Sequence, residues 1–136
     1  MAADAGPSTG RAREVLEALS GGDSERFARL VHPGVEIHTA RGVRRGAEEA
    51  RGWAAGTYDH LERRYEIEEM HVAGEDVLVL AQVQYVWRES GEIGDSTPIA
   101  VAMSFADGRL RRWQVYDDPA EGLKVFTQEV ESRGDR

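Results

Sequence analysis

His38 is the residue in this chain best suited to move a proton, because an unperturbed imidazole titrates near neutrality. The run Val35-Glu36-Ile37-His38 alternates apolar and polar residues, so as a strand it puts Glu36 and His38 on one face. An imidazole beside a carboxylate is a competent general acid/base, worth roughly 10² to 10⁴ in rate. Asp117, at the end of the last β-prone run, is the second carboxylate expected to point inward and the expected orienting partner of His38. Gln82 and Gln84 interrupt an otherwise apolar run. Buried amides must be hydrogen-bonded, so these two either fix a ligand carbonyl or hydroxyl, or pair with each other, with His38 and with water. Trp53, Tyr58, Met103, Phe105 and Trp113 are the large side chains expected to wall an apolar pocket around them, as small-molecule sites require.

Composition narrows the chemistry further. The 136 residues fit one domain and carry 17 Lys+Arg against 25 Asp+Glu, a net charge of −8. That balance argues against binding nucleic acid or an anionic membrane through bulk charge. Lys124 is the only lysine beside sixteen arginines, which hints at a GC-rich bacterial genome rather than at function. Cysteine is absent, which excludes disulfides, thiolate metal sites and a cysteine nucleophile. The histidines and carboxylates show no His-x-x-x-His or Glu-x-x-His spacing, so no metal is expected. Neither nucleotide fingerprint appears among the glycines, and no serine stands in a nucleophile elbow, so no cofactor is expected. No apolar run approaches a membrane span, and the N-terminus has no apolar secretory core. The expected setting is cytoplasmic.

These side chains need elements to hold them. Residues 1–9 read as a disordered lead, residues 10–132 as one domain and residues 133–136 as a flexible tail. Ala12, Val15, Leu16 and Leu19 recur at helical spacing, and Ser20-Gly21-Gly22 ends that helix. Asp23 or Ser24 caps a second helix with Phe27, Leu30 and Val31 on its apolar side. A short strand carries Glu36 and His38, residues 41–46 form a loop, and a third helix runs from Ala47 to about Tyr58. Four strands follow, over 64–72, 77–87, 97–105 and 110–117, with Asp107-Gly108 the strongest hairpin signal. Leu123, Phe126 and Val130 mark a C-terminal helix. Helices first and antiparallel strands last give an α+β domain: a cone-shaped, strongly curved antiparallel sheet wrapped around the N-terminal helices, with a pocket at its open end.

The run 77–87 is apolar on both faces, so both require burial. The expectation is a homodimer through the face carrying Val83, Tyr85 and Trp87, joined by Tyr116 from the last strand, with Gln82 and Gln84 facing inward. The alternative is that the C-terminal helix covers the outer face.

The order helix, Gly-Gly-Asp, helix, His-Pro-Gly, Val-Glu-Ile-His, a glycine-flanked loop and helix, then four strands ending in Trp113-x-x-Tyr116-x-Asp118-Pro119, resembles the nuclear transport factor 2-like superfamily. Within it the chain looks like the SnoaL-like and ketosteroid-isomerase-like branches over about residues 11–124. The resemblance implies a dimeric α+β cone with an apolar cavity, in a family of isomerases, cyclases, dehydratases, epoxide hydrolases and non-catalytic binding proteins. Fold alone does not choose among these. The ketosteroid isomerase base falls on His38, and the two oxyanion-hole donors fall on Val15 and Val101, which cannot donate. The cyclase and hydrolase aspartate falls on Val115, and the hydrolase Arg-x-Asp pair on Gln82-x-Gln84. The resemblance thus implies a protein that binds a small apolar ring compound. It either isomerises, cyclises or dehydrates that compound through His38, or serves only as a binding or dimerisation scaffold.

Overall fold

A computed structural model describes residues 7–55 and 61–134. The elements run α1 (Pro7–Ser20), α2 (Ser24–Leu30), β1 (Val31–Thr39), β2 (Gly42–Arg45), α3 (Ala47–Ala55), β3 (Leu61–Ala73), β4 (Asp76–Trp87), β5 (Ile93–Ala106), β6 (Arg109–Tyr116) and α4 (Pro119–Gly134). Local chemistry accounts for their ends. Asp23 caps α2 by accepting from the Arg26 backbone N–H at 3.0 Å. The β5–β6 hairpin turns on Asp107 (φ 55°) and Gly108 (φ 79°), two successive positive-φ residues of the kind a tight hairpin demands. Helix α1 begins two residues before the expected end of the lead: Pro7, Ser8 and Thr9 form its first turn, and the Ser8 hydroxyl donates to the Gly74 carbonyl at 3.0 Å. Likewise α4 extends through Gly134, into the expected tail.

The six strands are ordered β2-β1-β6-β5-β4-β3. All neighbours are antiparallel except β1 and β6, which run parallel. The sheet is therefore mixed and open, not a closed antiparallel barrel. Strand β2 lies where a loop was expected; its paired residues are Arg44 against Ile37 and Val43 against His38. Four residues, the first of them a glycine and the last followed by another, give too short a pattern for a strand signal.

One face of the sheet packs against α1, α2 and α3. Val15, Leu16, Leu19 and Phe27 from the helices meet Val35, Ile37, Val79, Ala81, Val83, Val101, Met103 and Trp113 from the strands in one buried core. The opposite face is covered over β4, β5 and β6 by α4. Leu78 and Ala100 are fully buried there without belonging to the helical core. Gly122 of α4 sits so close that an added Cβ would lie 2.6 Å from the Ala100 Cβ and 3.2 Å from the Tyr116 ring.

This second layer corrects the expected dimer face. Val83 and Tyr85 point to the helical side, and Tyr116 lies beside Gly122 and Phe126 of α4. Trp87 is 48% exposed at the end of β4, beyond a register shift between Tyr85 and Val86. The four residues do not share a face. Alternation in β4 fixes which residues go together, but two apolar faces do not mark which is inner. The expectation took the glutamines inward, whereas α4 supplies the cover for their side of the strand.

Replacing Gly122 with alanine should test this packing. Alanine would gain up to about 1 kcal/mol in helix propensity, but overpacking against rigid sheet atoms costs about 1–3 kcal/mol. A lower urea midpoint for G122A is the expected result; a raised midpoint would show that α4 yields.

Candidate ligand cavity

Between the helical layer and the inner face of the sheet lies a cavity of about 570 Å³. Strand alternation sets its inner wall. On β6, Trp113 and Val115 face inward while Gln114 and Tyr116 face outward, and Asp117, just past the strand, continues the inner row to the mouth. On β4 and β5 the wall is Val83, Tyr85 and Ile99. On β3 it is Tyr65, placed there because the β3 register shift between Ile67 and Glu69 changes which parity faces in. Helices add Leu19 from α1 and Trp53 from α3.

The cavity is lined from both edges of the sheet: Arg44 comes from β2 and Arg63 from β3. Strands about 4.8 Å apart would set these edges roughly 24 Å from each other in a flat sheet. One cavity can be shared by both only because the sheet curves strongly. An aromatic chain follows the curve. Phe27 packs on Trp53 (centroids 5.8 Å apart), Trp53 on Trp113 (5.3 Å), and Trp113 on Tyr65 (6.1 Å), the last two edge-on. The Arg63 guanidinium lies over Trp53 at 5.1 Å, a cation–π contact. The buried indole N–H of Trp113 has no hydrogen-bond partner among the described residues.

The sequence-predicted residues divide by face. Trp53, Trp113 and Asp117 line the cavity. Met103 and Phe105 are on the inner side but are buried in the core, not on the cavity wall. Tyr58 lies outside the described residues. Glu36 and His38 lie on the outer face: His38 is paired with Gln114, while their inward neighbour Ile37 is paired with Trp113. There Nε2 of His38 donates to Oε1 of Glu36 at 3.0 Å, and Arg45 approaches the other carboxylate oxygen at 3.6 Å. The hydrogen bond from His38, then the charges of Arg45, His38 and Arg111, hold the Glu36 carboxyl below its usual pKa against the effect of partial burial. His38 and Asp117 thus stand on opposite faces and form no pair. Gln82 and Gln84 are outward too, and Gln82 accepts from the Ser96 hydroxyl at 3.2 Å. Val15 and Val101 are packed core residues, and Val115 lines the cavity. Among the described residues, no three histidine, aspartate or glutamate side chains converge as a metal site.

What sequence reasoning missed is the polar part of the lining: Tyr65, Tyr85, Arg41, Arg44, Arg63 and Arg88, with Glu49 and Glu62. The β3 bulge hid Tyr65, and the unrecognised β2 hid Arg44. Burial pushes the Tyr65 hydroxyl up to about 12, with Arg63 opposing and Tyr85 reinforcing the shift.

The SnoaL-like domain family matches residues 12–113. The chain belongs to the SnoaL-like family. It has the fold of the wider NTF2-like superfamily, as solved structures show. An LEH-like epoxide hydrolase from M. tuberculosis superposes with TM-score 0.70 at 16% identity, covering 87% of each chain. An NTF2-like protein of unknown function from Burkholderia pseudomallei gives 0.69 at 20% identity, over 88% of this chain and 96% of the other. A protein with a ketosteroid isomerase-like fold from Catenulispora acidiphila, solved with trimethylamine, gives 0.67 at 18% identity, over 78% and 83%. At these identities the likeness is one of fold. No curated protein matches the chain. No helix among the described residues of this SnoaL-like chain is long and apolar enough to cross a membrane.

Tyr65 gives a pH signature. Its folded pKa lies above the ordinary value of 10, so its contribution to stability is complete below pH 10 and falls as pH rises from about 10 to about 12. In urea melts across that window, Y65F should lose less stability than wild type. Parallel curves would show that Tyr65 ionises freely in the folded state.

Proposed function

We propose that this SnoaL-like protein binds a small apolar ring compound in the inner cavity. The observation that carries the reading is the cavity itself. At about 570 Å³ it lies within the ordinary range for small-molecule sites. It is floored by Leu19, Val83, Ile99, Trp113 and Val115, with polar groups confined to its tyrosines and its mouth. Trp53 and Trp113 add aromatic surface to the wall, and Tyr85 adds a hydroxyl-bearing side chain to it.

A second reading adds chemistry, and one observation favours it. Asp117 continues the inward row Trp113–Val115 to the mouth, where a carboxylate can exchange a proton with a bound compound. Acid–base chemistry in this SnoaL-like site therefore rests on Asp117. His38, on the opposite face of the sheet, is separated from the cavity by the sheet itself.

A thermal-shift panel of steroids, naphthols, terpene epoxides and small aromatic acids tests the binding reading. A ligand at about 100 times its Kd stabilises by about 2.7 kcal/mol, which at this chain length is a shift of several degrees. V115W, which fills the cavity, should abolish the shift, and H38A should preserve it. A panel that moves no melting temperature, or a shift that survives V115W, would sink the reading. For turnover, D117N should stop the reaction of any hit while retaining its binding; unchanged turnover would remove Asp117 from the chemistry.

A further inference from the structure

The mouth of the cavity carries a charge that the apolar-ring reading does not use. Arg41, Arg44, Arg63 and Arg88 line it, against the carboxylates of Glu49, Glu62 and Asp117. One of those carboxylates is already ion-paired, Glu62 with Arg64 at 2.9 Å; Glu49 accepts from the Arg45 backbone N–H at 2.9 Å and keeps its charge. In a chain of net charge −8, a lining with four arginines against three carboxylates, one of them paired to an arginine outside it, runs against the overall balance.

Arg44 is the decisive member. It is paired with Ile37, which is fully buried, so alternation sends its side chain to the inner face. Its outward neighbour Arg45 reaches Glu36 on the other side. Arg44 is half-buried and has no carboxylate or hydrogen-bond partner among the described residues. A guanidinium drawn partly out of water without a counter-charge is costly. Arg41, one turn residue before β2, stands at the same mouth, also without an acidic partner among the described residues. Arg63 is fixed by its contact with the Trp53 ring, so its planar donor fork is held at the rim above the apolar floor.

We propose that the natural ligand is an organic acid: an apolar ring that enters the floor and a carboxylate that stays at the mouth, held by Arg44 with Arg41 and Arg63. The inference rests on the binding reading above and specifies its ligand class. Guanidinium groups match a carboxylate in a bidentate fork, and a charge-assisted pair is stronger than a neutral one. The local field also draws anions to the mouth despite the acidic surface elsewhere.

The test uses one ring with and without the charge. Binding of 2-naphthoic acid and of 2-naphthamide to the full chain is followed by tryptophan fluorescence and by calorimetry. The acid should bind about tenfold or more tightly than the amide, with its affinity falling as salt rises while that of the amide does not. R44Q should bring the acid down to the level of the amide and leave the amide unchanged. R41Q, at an exposed turn position, should act in the same direction, so the inference does not hang on the folding of one variant. Equal affinity of acid and amide for wild type, or an equal loss of both in R44Q and R41Q, would overturn the anion assignment while leaving the cavity reading in place. Failure of both probes to bind at all would overturn both.

Discussion

The aromatic chain from Phe27 through Trp53 and Trp113 to Tyr65 links four elements that are distant in sequence. Trp113 on β6 and Tyr65 on β3 are separated by two intervening strands, roughly 14 Å between strand axes in a flat sheet, yet their rings meet at 6.1 Å. Each such contact adds about 0.5–1.5 kcal/mol beyond the area it buries. Together they hold the sheet in its curve and tie the helical layer to it through Trp53. The cavity is the space left beside this chain. Loss of Trp113 would remove its inner wall and the contact that keeps β3 folded over the helices.

The cavity joins two environments. Its floor is the continuation of the hydrophobic core, where an unpaired charge would be expensive. At its mouth the inner faces of β2 and β3 approach solvent, and there arginines replace aliphatic side chains. The gradient from one to the other is only a few residues long: along β6 it runs from buried Trp113 through Val115 to exposed Asp117. A molecule with an apolar body and a polar end matches that gradient in one orientation only.

Much of the architecture was legible before any coordinates. The Asp107-Gly108 turn, the Asp23 cap and the four long strands all announce themselves through local chemistry, and the order of elements carried the family. The side of the sheet did not. A strand such as β4, apolar in both rows, states its pairing of residues but not its orientation, and choosing Gln82 and Gln84 as the inner row exchanged the two faces. His38 was drawn inward by the family's base position, although its neighbour Ile37 is the residue that enters the core. Asp117 falls in the cavity row because it stands two residues past Val115 and four past Trp113 on one face of the last strand. The arginines were missed because the strand that presents Arg44 is four residues long, and because Tyr65 and Arg63 lie ahead of a bulge that erases the two-residue period of β3.

The parallel pairing of β1 with β6 has a consequence for how the chain acquires this shape. Glu36 lies beside Arg112 and Ile37 beside Trp113, across most of the sequence. Contacts between such remote segments form late, since a long loop must close before they are rewarded. As the chain leaves the ribosome, α1, α2, β1 and α3 emerge well before the strand that gives them a sheet to rest on. Until β6 arrives, α3 and β2 give Phe27, Val35 and Ile37 only part of their cover, and the open edge of β1 has no partner on that side.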